Sequence, residues 1–274
     1  VYKPAEIELI RSACEFAAPL YHGQTDVTGT SLLQHVLGSA SILIGLQMDH
    51  ETIAATALHA VPSYLNDWNV VLNERFGRNV TMLVEGISDM ERLRHVTAKQ
   101  PIAGAAAIED KGEAAQQVEG LRKMLLAMVE DIRVVLIKLA ERTQTLRNLP
   151  AASPETQRHI AQETHSIFAP LANRLGVWQI KWEMEDLSLR YLEPALYKKV
   201  AKLLDERRVD RERYIADIVA QLERSLAAAH IKAEVSGRPK HIYSIFRKMQ
   251  KKDKSFNMLF DVRAVRLIVP DVPS

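Results

Sequence analysis

Ile231-Lys232-Ala233-Glu234-Val235-Ser236-Gly237-Arg238-Pro239-Lys240-His241-Ile242-Tyr243-Ser244-Ile245-Phe246-Arg247-Lys248 is the stretch on which the reading of this chain turns. Up to Val235 apolar and polar residues alternate, the period of a half-buried strand. Ser236-Gly237 predicts the end of that strand, and Pro239 suits the first position of a helix, where a missing N–H costs nothing. Ile242, Ile245, Phe246 and Met249 then recur at i, i+3, i+4 and i+7 and predict a buried helix face. Lys240, Ser244 and Lys248 form a separate polar stripe. Two cations and a hydroxyl beside the free N–H groups of a helix start suit a polyphosphate. The same spacing also describes an amphipathic helix with an ordinary basic solvent face, and spacing alone leaves both open.

A second strand is expected over residues 258–269, apolar apart from Asp261, Arg263 and Arg266. A carboxylate there could hold a magnesium ion between phosphates, or simply pair with a neighbouring arginine. Strict alternation puts Arg266 on the face opposite Asp261, unless the strand bulges or begins after Asp261. Between Arg238 and Arg266 nine Lys or Arg residues stand against two Asp, in a chain whose net charge is only +2, so basic character gathers where a phosphate would go.

Upstream, the pattern is helix after helix. Spans 5–20, 31–47, 51–59, 66–76 and 80–93 read as amphipathic helices. Residues 118–149 hold helical spacing through Leu121, Met124, Leu125, Met128, Ile132, Val135, Leu136 and Leu139, with a break near Asp131. Such a stripe is core rather than a cofactor box. Residues 97–117, rich in Ala, Gln and Gly, read as a loop. Ser153-Pro154-Glu155 starts a further helix with a capping serine and a first-position proline, running to about residue 173. Helices over 178–192, 194–205 and 211–230 complete the series, with a domain boundary near 195–210.

Composition sets outer bounds. At 274 residues with 47% apolar content the chain can bury one large core or two ordinary ones. A lone cysteine, Cys14, rules out a disulfide framework and suits a reducing compartment. Val1-Tyr2-Lys3-Pro4 carries no secretory apolar segment, and no apolar run approaches membrane-spanning length, so a cytoplasmic location is expected.

The stretch from Gly237 to Lys248, with Asp261-Val262-Arg263-Ala264-Val265-Arg266, resembles the opening of the synthetase domain of the RelA/SpoT (Rel) family, bacterial enzymes that make and degrade the alarmones ppGpp and pppGpp. Arg122 to Met128, Ile137 to Ala140, Ala169 to Gly176 and Lys181 to Leu187 resemble the family's N-terminal HD hydrolase domain. The resemblance implies a mainly helical chain: an HD-type domain over 1–195, a helical linker over 196–230 and, over 231–274, the start of an α/β nucleotidyltransferase-like domain. It implies pyrophosphate transfer from ATP to the 3′-hydroxyl of GTP or GDP. Arg238 and Arg266 would sandwich the adenine, Lys240, Ser244 and Lys248 would hold phosphates, and Asp261 would ligate magnesium. It further implies contacts with the ribosome and uncharged tRNA through C-terminal domains. The guanine-stacking loop and a second magnesium-binding glutamate would lie beyond Ser274, so the chain by itself is expected to synthesise nothing.

The HD domain is where the chain departs from that family. There, two histidines and two aspartates hold manganese, which activates water for hydrolysis. His35 and His59 take the histidine positions, but Ala60 replaces the aspartate paired with His59, and Glu141 replaces the last aspartate. Ser63 and Tyr64 replace an assisting acidic pair, and Asp26 and Val27 replace an Arg-Lys pair that grips nucleotide. Arg142-Thr143-Gln144-Thr145 replaces Arg-Leu-His-Asn, and the offset of Asp67 makes it a poor substitute. The expectation is a pseudo-hydrolase with the remnants His35, His59 and Glu141 empty of manganese. Two alternatives stay open: a surviving manganese-dependent alarmone hydrolase, and a non-enzymatic nucleotide-binding regulatory module.

Overall fold

The computed structural model describes residues 2–99, 131–205, 208–239, 241–252 and 263–270. The chain divides into two compact units, Val1–Met184 and Glu185–Ser274.

The first unit is built from α1 (Pro4–Tyr21), α2 (Leu32–Gly45), α3 (His50–Leu58), α4 (Trp68–Phe76), α5 (Arg78–Lys99), α6 (Ile132–Asn148), α7 (Pro154–Glu163) and α8 (Ala169–Arg174), followed by the start of α9 (Trp178–Leu192). Helix α1 packs on α3, α2 on α6, and α3, α4 and α6 on α5. Leu43, Ile53, Leu58, Leu72, Leu83, Ile87 and Ile137 are fully buried where these helices meet. At about 1.5–3 kcal/mol per buried aliphatic side chain, this contact surface rather than helix propensity holds the unit together. Gly38 permits the close approach of α2 to α6, because a Cβ there would overlap the Gln144 amide.

The periodic spans fold as helices with ends shifted by a few residues. Asp131, the expected break, is the N-cap of α6, accepting the Arg133 N–H at 2.9 Å. The Arg133 guanidinium returns to Asp131 and reaches Asp49 and Glu51 at 3.3 and 3.2 Å, tying the start of α6 to the start of α3. The earlier part of that expected helix, 118–130, lies outside the described residues. Residues 97–99, read as loop, continue α5; the rest of that segment is likewise outside the described residues. Ser153 caps α7 through the Thr156 N–H at 3.3 Å, with Pro154 at its first position. The helix expected to run on to 173 is interrupted by a π turn at Thr164–Phe168 before α8. Gly176, at φ +73°, ends it.

The second unit contains the remainder of α9, α10 (Pro194–Asp205), α11 (Arg208–Ala228), β1 (Glu234–Pro239), α12 (Ile242–Lys252) and β2 (Arg263–Ile268). The units divide within α9, upstream of the expected boundary near 195. Helices α10 and α11, expected as a linker, pack against α12 and against both strands respectively. The strands pair antiparallel, with Ser236 opposite Arg266, Gly237 opposite Val265 and Arg238 opposite Ala264.

The sequence reading of this stretch needs one correction. Ser236-Gly237 does not end the strand, and Pro239 is the last residue of β1 rather than the first of a helix. Gly237 lies in β1 because α11 passes directly over it, and a Cβ there would overlap Ile215. The amphipathic reading of α12 stands: Ile245 is 1% exposed against Val200 and Leu204 of α10, with Ile242 and Met249 beside it.

Candidate functional sites

In the first unit a cleft of about 990 Å³ is lined by Asp26, His35, His59, Ala60, Ser63, Tyr64, Lys138, Glu141 and Arg142, among others. His35 reaches it from α2, His59 from the end of α3, and Lys138, Glu141 and Arg142 from successive turns of α6. The two imidazoles are 6.4 Å apart between ring centroids. Asp67 is at the start of α4 and does not line the cleft.

The polar partners decide what this cleft can do. The Nδ1–H of His59 donates to the Thr56 carbonyl at 2.9 Å, which leaves Nε2 as an acceptor in the neutral ring. Nε2 lies 3.8 Å from Glu141 Oε1, a buried oxygen with no hydrogen-bond partner. The other carboxylate oxygen, Oε2, accepts from Lys138 Nζ at 2.5 Å, and both side chains are less than a tenth exposed. Burial alone would push the Glu141 carboxyl up; the charges of His59 and Lys138 and the Lys138 hydrogen bond outweigh it and hold the group down to about 2. Burial pushes His59 the other way, toward the neutral ring, with the attraction of Glu141 opposing.

Asp26 contributes what the sequence reading recorded only as a lost cation. Its Oδ1 accepts from the Thr28 and Thr30 N–H groups and the Thr28 hydroxyl, closing a turn that Gly29 completes at φ +82°. Its Oδ2 lies 3.1 Å from His35 Nδ1, close but not aligned as a hydrogen bond. Burial would raise the Asp26 carboxyl, but the His35 side chain and the Thr28 and Thr30 donors hold it well below the usual carboxylate range. The Asp-x-Thr-Gly-Thr turn was legible in the sequence; its aim at His35 was not. Arg142 stacks over Phe168, 4.3 Å from the ring centroid, and pairs with Glu163 at 2.6 Å.

These donors do not fit manganese. Position 60 is an alanine, one oxygen of Glu141 is bonded to an ammonium, and Asp26 approaches the Nδ1 side of His35. Among the described residues no group of three or more His, Cys, Asp or Glu side chains is arranged to hold a metal ion.

In the second unit the register brings positions 238 and 266 onto one face of the β1–β2 pair, one diagonal apart. Gly237, which alternates with them, faces Ile215 of α11, so this is the face that α11 leaves uncovered. Arg266 is exposed; Ser244 and Lys248 lie on α12 and are half-buried. Lys240 and Asp261 lie outside the described residues. Of the free N–H groups expected at this helix start, the first two are taken. Asp186, on α9, accepts the Tyr243 N–H at 2.7 Å and the Ile242 N–H at 3.3 Å, and its Oδ2 lies 3.3 Å from His241 Nδ1.

Comparison with known proteins places this geometry. The HD domain family matches residues 13–178, and the region found in RelA / SpoT proteins matches residues 237–274. A GTP pyrophosphokinase of Escherichia coli strain K12 is 48% identical over 242 residues, 86% of this chain and 31% of that protein. A probable guanosine-3′,5′-bis(diphosphate) 3′-pyrophosphohydrolase of Synechocystis is 39% identical over 265 residues, 95% of this chain and 32% of that protein. The chain thus spans about a third of the length of these curated relatives. A solved structure titled as a metazoan ortholog of SpoT that hydrolyzes ppGpp aligns at 22% identity and TM-score 0.45, covering 69% of this chain and 97% of that one. No described helix is long and apolar enough to cross a membrane. With an HD domain filling most of its first unit and the RelA / SpoT region in its second, the chain belongs to the RelA/SpoT family.

Proposed function

We propose that this chain is the N-terminal part of a GTP pyrophosphokinase whose HD domain does not hydrolyse alarmone. The observation that carries the reading is the state of Glu141. In a hydrolase of this fold it would give a carboxylate to the metal, but here it is bonded to Lys138 while its other oxygen, 3.8 Å from His59, has no hydrogen-bond partner. With Ala60 beside it, the cleft keeps its shape and lacks the donors for activating water.

In the transfer itself the 3′-hydroxyl oxygen of GTP or GDP bonds to the β-phosphorus of ATP. The bond from that phosphorus to the bridging oxygen of the α-phosphate breaks, and AMP leaves as the hydroxyl proton is released. The work is positioning and neutralisation of charge. Ser244 and Lys248 bind phosphate from α12, with Lys240 preceding them. Arg238 and Arg266, on one face of the strand pair, hold the adenine. Asp261 would hold the magnesium that neutralises phosphate charge when nucleotide is bound.

The test uses the full-length protein and labelled phosphate. Mixed with ATP and GTP, it is expected to form pppGpp. Offered ppGpp with manganese, it is expected to release no pyrophosphate. Manganese-dependent degradation without synthesis overturns the reading.

A further inference from the structure

The start of α12 is held by a residue more than fifty positions away. Its own sequence, Pro239-Lys240-His241, supplies none of the short oxygen-bearing side chains that cap helices, so the first N–H groups of α12 have no local acceptor. Asp186 fills that role from α9. One carboxylate takes the N–H groups of Ile242 and Tyr243, the first two residues of the helix, and contacts the His241 ring as well. These bonds involve an ionised acceptor at the positive end of a helix dipole, which makes them stronger than neutral caps. On the opposite side Ile245 is sunk against Val200 and Leu204. The helix is thereby pinned at its N-terminus and along one face, which fixes both its axial position and its rotation.

Ser244 follows Tyr243 directly, and Lys248 lies one turn further along the same side. Each residue of helix advances about 1.5 Å and turns about 100°. A frayed first turn therefore carries the Ser244 hydroxyl away from its line with Lys248. With the Ile242 and Tyr243 amides occupied by Asp186, phosphate falls mainly to the side-chain stripe, and the stripe is only as well aimed as its anchor.

We propose that Asp186 is a positioning residue for the ATP side of the reaction, holding the Ser244 and Lys248 stripe in the direction that receives the phosphates; this rests on the functional reading above. An Asp186 that instead competed with phosphate for the α12 amides would have the opposite effect on ATP affinity, so the two roles separate by sign.

The experiment compares full-length wild type with Asp186→Ala and Asp186→Asn. Initial rates are measured with ATP varied at saturating GTP and the reverse, alongside equilibrium binding of a fluorescent ATP analogue. Asp186→Ala is expected to raise KM for ATP, and to weaken analogue binding, on the order of tenfold, with KM for GTP unchanged. Asp186→Asn, which keeps one acceptor and folds more securely, is expected to lose about threefold. A lower Vmax with both KM values unchanged is the signature of a partly unfolded sample and overturns the proposal. So does a KM for ATP that is unaltered or falls. If wild type makes no product, the functional reading fails, and the binding arm still decides: weaker analogue binding by Asp186→Ala supports the positioning role, and equal binding overturns it.

Discussion

Replacing Lys138 by methionine isolates the buried pair at the centre of the HD cleft. The ammonium and the Glu141 carboxylate are 2.5 Å apart, each less than a tenth exposed, and Glu141 Oε1 already lacks a partner. Methionine keeps most of the volume and removes the charge. With burial holding the His59 ring, 3.8 Å away, toward the neutral form, the carboxylate must then stay ionised without a full counter-charge or take up a proton. At pH 7, protonating a carboxyl with an ordinary value of 4.5 costs about 3.4 kcal/mol, at about 1.36 kcal/mol per pH unit. That route limits the loss, so Lys138→Met is expected to lower stability by about 3 kcal/mol at pH 7, near the low end for breaking a buried pair. At pH 4.5 the proton comes almost free, while the wild-type pair, its carboxyl held near 2, is still intact. The deficit should shrink to about 1 kcal/mol. Urea denaturation followed by tryptophan fluorescence, with Trp68 lining the same cleft, measures both values. A second variant, Lys138→Met with Glu141→Leu, removes the stranded charge and is expected to recover most of the loss. A deficit below about 1 kcal/mol at pH 7, or one equal at both pH values, refutes the assignment of Glu141 as a carboxylate dependent on Lys138.

Acid stability of the wild type follows from the same groups. The folded value of Glu141 is depressed below 4.5, so its contribution is full above 4.5 and is lost as pH falls toward 2. His59 is depressed below 6.5, so stability is also lost as pH drops through that region and the buried ring is forced to charge. A urea midpoint that is level above about pH 7 and declines in two stages below it is the expected profile; a midpoint that rises on acidification contradicts it. In the second unit, Gly237→Ala is expected to cost about 1–3 kcal/mol by driving a Cβ into Ile215, with part regained on adding Ile215→Ala. Thermal melts of the single and double variants check this, and a neutral Gly237→Ala refutes the close approach of α11.

The helices were legible because burial on one face leaves a period in the sequence, as at Ile242, Ile245 and Met249 or along Val135 and Leu139. Asp131 and Ser153 were legible because a cap is local. Gly237 was misread for a physical reason: a glycine that lets a chain turn and one that lets a helix pass overhead look alike in one dimension. Asp186 was invisible because its partners are more than fifty residues away. Lys138 and Glu141 are three residues apart on one helix, which shows that they can meet but not that water is excluded around them. The missing donor at Ala60 was readable from family resemblance. The contact of Asp26 with His35 arises only when the loop before α2 folds back on that helix.

The π turn at Thr164–Phe168 has a consequence for which sequence lengths this domain tolerates. A π turn holds one residue more than a regular turn, and here that residue lets the chain reach Phe168 with the ring beneath Arg142. Deleting one residue between 164 and 168 would remove that extra residue and let α7 run into α8 as a regular helix, with Leu171 and Ala172 kept in phase with the core in which they are buried. Inserting one residue would instead add about 100° to every side chain beyond it and turn Leu171 and Ala172 out of that core. A one-residue deletion across these positions should therefore be far better tolerated than a one-residue insertion, so the constraint on spacing here is one-sided.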